Sequence, residues 1–339
     1  SLSAIFQIKT STSLTKININ FIVNCKRNYQ VTVVGGASEV GQTLCLMLRA
    51  QPTISKLIVH DTRQHTPGVV MDLSHIPTDS TIKGYNGEET LDRALKNSNL
   101  VLAAGEGLKP GTTHKSWLSS NIEFIRILAS KISKIHPMPI VGIVTEPINV
   151  LVPMAAEIIR NHGEYDPKKL FGVTTVDTIR AQTLYARENR LNPRECFVPV
   201  IGGHSNKTII PLLSQAKPLC DMDEKTIQEL TARIRKWNDI VTQAKKGWSP
   251  NLSVAYSALM FTRSILDAYD GRPTKVQAYV ENNDFGTSYF SGQVDVDANG
   301  AGEMQRYANL SQFECHLLEH SIDQLRKDVS KGKKILELA

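Results

Sequence analysis

Residues 30–41 read Gln30-Val-Thr-Val-Val-Gly35-Gly36-Ala37-Ser38-Glu39-Val40-Gly41, and this stretch decides the fold. Gln30 to Gly35 is a short β-branched run ending in glycine, which reads as a strand. A helical pattern follows, with Leu44, Met47 and Leu48 spaced for one apolar face. Gly35 and Gly41 flank the joint. In such a joint the first glycine allows a tight turn and the last allows close packing of helix on strand. The backbone between them can approach a pyrophosphate at the helix N-terminus. The middle place holds Ser38 with Glu39 beside it, so a side chain and a charge are expected on the phosphate path. The bland reading is a strand–helix turn capped by serine, with no phosphate.

Working outward, a second strand, Lys56-Leu-Ile-Val-His60, ends at Asp61. An acid there can bind both hydroxyls of a ribose and repel a 2′-phosphate. A third apolar run, Leu100 to Ala104, leads into a glycine-containing loop. Leu118, Ile122, Ile125, Leu128, Ile132 and Ile135 then share one helix face, and Pro139 to Val144 is a further buried strand. Strands alternating with helices predict a parallel sheet covered on both faces. The second half is mixed: helices over 177–191, 222–245, 252–268 and 312–331, and strands over 197–201, 275–281 and 286–296. The fold class is therefore α/β, a doubly wound parallel sheet plus a second mixed α/β domain. The division is a leader over 1–29, a cofactor domain over 30–172 and a catalytic domain over 173–339.

The net charge of +6 is unevenly placed, since Lys9, Lys16, Lys26 and Arg27 put +4 into residues 1–38, which have no acid. The basic balance thus gives little support for nucleic-acid binding. No run of 18 apolar residues suggests a membrane span. The five cysteines include no Cys-x-x-Cys pair, which argues against a thiolate metal site and for free thiols. Segment 1–29, rich in Ser, Thr and Asn, suits an organellar transit peptide or a plain N-terminal tail.

His65 to Ile76 (HTPGVVMDLSHI), Lys109-Pro-Gly111, Phe171 to Arg180 (FGVTTVDTIR), Val198 to His204 (VPVIGGH) and Lys207-Thr-Ile-Ile-Pro211 together resemble malate dehydrogenase of the mitochondrial type. The resemblance runs from about residue 30 to the C-terminus. It implies a Rossmann-like domain binding NAD through Gly35, Ser38, Gly41 and Asp61. It also implies a catalytic α/β domain, a homodimer, a mitochondrial location and a small 2-oxo or 2-hydroxy acid as substrate. Carried over by position, His204 is the acid–base histidine and Asp177 the carboxylate that orients it. Arg180 clamps the substrate carboxylate, and Asn149 is retained among the substrate residues. Without the resemblance, His204 after two glycines reads as an ordinary loop histidine.

Three places depart from the family's pattern. Leu108 and His114 stand where two loop arginines would grip the distal carboxylate and polarise the carbonyl. Glu146 replaces an asparagine that donates to the substrate oxygen. Glu146 puts negative charge beside two incoming carboxylates unless it is protonated or paired with Lys109 or Lys115. Two readings follow: an oxidoreductase with weakened malate chemistry, or a non-catalytic structural or regulatory subunit, alone or beside an active homologue. One decoy falls away. Asp295-x-Asp297-x-Asn299-Gly300 opens like a calcium loop, but its twelfth position is Arg306 rather than glutamate, so a polar hairpin turn is expected.

Overall fold

The structure, a computed structural model, describes residues 29–335; the leader reading falls on residues outside these except at Tyr29. The first lobe alternates strand and helix. Its elements are β1 (Tyr29–Val34), α1 (Glu39–Arg49), β2 (Ile54–Asp61), α2 (Thr66–Ser74), β3 (Thr81–Asn86) and α3 (Leu91–Leu95). They continue with β4 (Leu100–Ala103), α4 (His114–Ile132), β5 (Ile140–Ile143), α5 (Ile148–His162) and β6 (Leu170–Val173). The strands pair in parallel in the order β3-β2-β1-β4-β5-β6. That order reverses between β1 and β4, and a groove opens outside the carboxyl ends of the strands there, the usual ligand site of such sheets. All six residues of β1 are buried, as a strand covered on both faces requires.

The second lobe comprises α6 (Thr175–Glu188), β7 (Val200–Gly202), β8 (Ile209–Pro211), α7 (Glu224–Arg235), α8 (Trp237–Ala244) and α9 (Leu252–Tyr269). It closes with β9 (Thr274–Glu281), β10 (Tyr289–Asp297), β11 (Gly300–Met304) and α10 (Gln312–Lys334). These strands join antiparallel, β9 on β6, then β10, β7 and β8, so one sheet runs through both lobes. The main apolar core spans both lobes, and a smaller one lies under α6 and α7 around Tyr185, Val198 and Leu230. No helix among the described residues is long and apolar enough to cross a membrane.

One difference from the sequence reading bears on the site. The helix expected over 222–245 breaks at Lys236 into α7 and α8, although the apolar spacing continues through the break. The polar hairpin turn expected at Asp295 to Gly300 is present as the β10–β11 turn. There Asp297 Oδ1 accepts the amide of Asn299 at 2.7 Å, and Gly300 takes φ +116°.

Candidate active site

The strand–helix joint is built as the glycines require. Gly35 has φ +83°, and a Cβ there would lie 2.1 Å from the Ala104 carbonyl. A Cβ on Gly41 would fall 2.1 Å from the Gly35 carbonyl, so α1 could not pack this closely on β1. Ser38 corrects the expectation of a crowded phosphate path. Its hydroxyl turns inward, accepting from the Gly41 amide at 2.9 Å and donating to the Ala104 carbonyl at 2.8 Å. It is the N-cap of α1 and is buried, which leaves the groove side of the helix start to backbone. Glu39 remains exposed on the first turn.

Asp61 ends β2 at the groove and is buried. Its Oδ2 accepts from the Ala37 amide at 2.9 Å and from Arg63 Nη1 at 2.6 Å, and its Oδ1 accepts from the Arg63 amide at 3.1 Å. The groove volume here is about 640 Å³, with Gly35, Asp61, Arg63 and Glu106 in its wall. A glycine cradle, a helix start and a strand-end acid fit a nicotinamide dinucleotide.

The chemical centre lies between the lobes. His204 follows β7, and Asp177 and Arg180 stand one turn apart on α6. Glu146 lies between β5 and α5. His204 Nδ1 is 2.6 Å from Asp177 Oδ2 and its Nε2 is 3.2 Å from Glu146 Oε1. Arg180 Nη1 is 3.9 Å from Asp177 Oδ1. The structure thus brings His204, Asp177, Arg180 and Glu146 together. Burial works against a charged imidazole, but the charge and bond of Asp177 and the bond and charge of Glu146 outweigh it. The His204 pKa is pushed up to about 10. Burial likewise opposes charge on Glu146, yet the bond and charge of His204, the charge of Arg180 and a 3.2 Å bond from Asn238 hold its pKa below the usual value. Glu146 is therefore a carboxylate at neutral pH, and its cation is His204. Lys109 pairs instead with Glu106.

Arg180 is buried, and its Nε and Nη2 have no hydrogen-bond partner. Buried guanidinium donors left open are costly, and a carboxylate would satisfy both in a fork. Burial pulls the Arg180 pKa down, against the charges of Asp177 and Glu146. Asn149 corrects its expected role. Its Oδ1 accepts from the His204 amide at 2.8 Å, and its Nδ2 donates to Thr208 Oγ1 at 3.1 Å and to Asp328 Oδ2 at 3.0 Å. It pins the histidine loop and offers no donor to a substrate, because both of its donor bonds already end on protein.

Leu108 and His114 do reach the same place. They line a cavity of about 200 Å³ together with Glu106, Trp117, Glu146 and Asn238. His114 opens α4 with its ring 5.1 Å from that of Trp117. The wall of this cavity includes Glu146, whose Oε1 lies 3.2 Å from His204 Nε2, but neither His204 nor Arg180. Sequence reasoning missed Glu106, Arg63, Asn121 and Asn238. Arg63 bridges Asp61 and Glu106, and Asn121 Nδ2 holds the carbonyls of Glu106 and Glu146 at 3.0 and 2.9 Å. A charged residue between two glycines just past a buried strand, as in Gly105-Glu106-Gly107, was the available signal.

A carboxylate-backed histidine beside a buried arginine with open donors, at the end of a dinucleotide-type sheet, fits an NAD-dependent oxidoreductase. The profile of the lactate/malate dehydrogenase NAD-binding domain matches residues 29–172, and that of the family's α/β C-terminal domain matches 174–336. The chain belongs to the lactate/malate dehydrogenase family, among the malate dehydrogenases. It is 36% identical over 317 residues to the mitochondrial malate dehydrogenases of Pongo abelii and Homo sapiens, covering 93% of this chain and 94% of each relative. In fold it resembles the malate dehydrogenase of Cryptosporidium parvum, with TM-score 0.76, 22% identity, and 91% and 99% of the two chains covered. The lactate dehydrogenase of Eimeria maxima, solved with NADH and oxamate, gives TM-score 0.77 at 19% identity, covering 92% and 96%.

Proposed function

We propose that the chain is a malate dehydrogenase relative in which hydride transfer between malate and oxaloacetate is much reduced. NAD(H), held along Gly35, Gly41 and Asp61, supplies the hydride chemistry when bound. His204 carries the proton at Nε2 for the substrate oxygen, Asp177 fixes the tautomer and charge of the ring, and Arg180 takes a carboxylate on its open donors. One observation carries the reduction: Glu146 holds His204 Nε2 at 3.2 Å, the position a substrate oxygen must take. Leu108 offers nothing to the distal carboxylate. A lost clamp costs about 2–5 kcal/mol, and a lost electrostatic donor costs about 10²–10³ in rate. Oxaloacetate reduction is therefore expected at least about 10³-fold below the level of the family.

The same observation favours a second reading, a non-catalytic subunit that keeps fold and interface. Leu46, Met71, Tyr256 and Met260 expose apolar surface on α1, α2 and α9, which pack as neighbours. That supports docking of a second copy or a homologue. The mitochondrial names of the relatives and the acid-free leader support a mitochondrial location and a place beside the tricarboxylic acid cycle.

A steady-state NADH assay with oxaloacetate, run beside direct NADH titration and with a His204→Asn control, tests the reading. Slow turnover that the control abolishes supports it. NADH binding without turnover selects the subunit reading, and turnover at the family's ordinary rate overturns both.

A further inference from the structure

We propose that the dinucleotide groove accepts the 2′-phosphorylated nicotinamide cofactor about as well as the unphosphorylated one, with Arg63 meeting the 2′-phosphate. The inference rests on the reading of this groove as a dinucleotide site.

A lone acid at the end of β2 selects the unphosphorylated dinucleotide in two ways. It accepts from both ribose hydroxyls, and its charge repels a 2′-phosphate. Asp61 is not alone. A carboxylate has about four acceptor sites, and three on Asp61 are taken, by the Ala37 amide, the Arg63 amide and Arg63 Nη1. The two amides are backbone and fixed. One site remains, on Oδ1, so a ribose that binds through both hydroxyls requires the Arg63 side chain to leave Oδ2.

A 2′-phosphorylated ribose keeps only its 3′-hydroxyl, so the one site left on Asp61 Oδ1 suffices for it, and the Arg63 guanidinium, 2.6 Å from Asp61 Oδ2, can turn to the phosphate. Its other arm already crosses to Glu106, and Glu106 Oε1 holds Lys109 Nζ at 2.9 Å. Arg63, Lys109, Asp61 and Glu106 carry two charges of each sign, so the repulsion that a lone acid would exert on a phosphate is cancelled. The Arg63 side chain is 29% exposed and lines the cavity of about 640 Å³ with Asp61, Thr62, Glu106 and Lys109, so a phosphate has room to reach it. A planar guanidinium fork matches phosphate oxygens. Glu106 is its competitor for Arg63, which gives the two residues opposite effects.

Isothermal titration calorimetry with NADPH and NADH, on the full chain at fixed ionic strength, decides the matter. The two dissociation constants are expected within about tenfold of each other, since one charge-assisted contact is worth roughly that factor. Arg63→Ala should weaken NADPH by about tenfold or more and leave NADH unchanged or tighter. Glu106→Gln should tighten NADPH relative to NADH, with thermal melts of both variants matching the parent. NADPH binding more than about tenfold weaker than NADH, or a ratio that Arg63→Ala leaves unchanged, overturns the proposal while leaving the dinucleotide site standing. Failure of both dinucleotides to bind overturns the site reading and the proposal together.

Discussion

Replacing Glu146 by glutamine removes one charge and leaves a side chain of the same size. In the structure Glu146 Oε1 holds His204 Nε2 at 3.2 Å, and that contact must break before a substrate oxygen can take its place. A hydrogen bond between charged partners contributes about 1.5–3 kcal/mol, so the competent arrangement is depleted by roughly 10- to 150-fold. Glu146→Gln should raise kcat/KM for oxaloacetate by a factor in that range. The imidazolium should also lose one of its two supports. Its pKa, now about 10, should fall toward the ordinary histidine value near 6.5 while Asp177 keeps it above that value. Malate oxidation needs the neutral ring as base, and kcat/KM reports the free enzyme. The rising limb of that profile should therefore lie near pH 10 in the parent and move to lower pH in the variant. Histidine proton NMR across pH, with His204→Asn to assign the signal, reads the same shift directly. An unmoved His204 titration together with an unchanged rate would refute the reasoning.

Three further outcomes follow from the same geometry. Ser38→Ala should cost about 1 kcal/mol of stability and Ser38→Gly only a few tenths, with NADH affinity unchanged, because the hydroxyl faces Ala104 and Gly41; tighter NADH binding by Ser38→Gly would restore the crowding account. The triple change Leu108→Arg, His114→Arg, Glu146→Asn should recover much of the oxaloacetate rate, and more than the single changes combined, since such residues act as a unit; the check is kcat/KM for all four variants. Stability should depend on pH with a definite sign. His204 has a folded pKa above its unfolded value, so its contribution is full below about pH 6.5 and is lost as pH rises through about 10. Urea midpoints for parent and His204→Asn between pH 6 and 10.5 (roughly, spanning that window) should converge at the alkaline end.

The β1–α1–β2 unit was legible because backbone geometry constrains it: Gly35 and Gly41 sit where a Cβ would collide, and glycine is visible in a sequence. α4 was legible from its spacing, with Ile125, Leu128 and Ile132 buried. β3 was not, because it is an edge strand with half its residues exposed and carries no alternation to read. The break at Lys236 was hidden because Trp237, Ile240 and Val241 continue the helical spacing, yet it is α8 that delivers Asn238 to Glu146. At the site, His204, Asp177 and Arg180 were found by matching residues, and the fold then placed them in contact. The bridge from Arg63 to Glu106 was not found, because charges on two loops 43 positions apart have no shared period. Asn149 was expected among the substrate residues, and its bond to Asp328 on α10, 179 positions away, leaves no signal in the sequence.

The charge balance of the centre explains how such a site persists in an otherwise ordinary fold. Asp177 and Glu146 are negative, and His204 and Arg180 are positive, all within one contiguous cluster. A buried charge is tolerated when it is paired and costs several kcal/mol when it is not. A pocket with an asparagine at position 146 and arginines at 108 and 114 would carry excess positive charge, most of which an incoming dicarboxylate would offset. With Glu146 the cluster is neutral without any ligand, and a dicarboxylate would add two uncompensated negative charges. Only the open Nε and Nη2 of Arg180 still call for an acceptor. The site therefore has one carboxylate's worth of unmet demand. A ligand that brings one carboxylate and a neutral remainder satisfies Arg180 and adds one uncompensated charge where a dicarboxylate would add two, once Glu146 has yielded His204 to the ligand's oxygen.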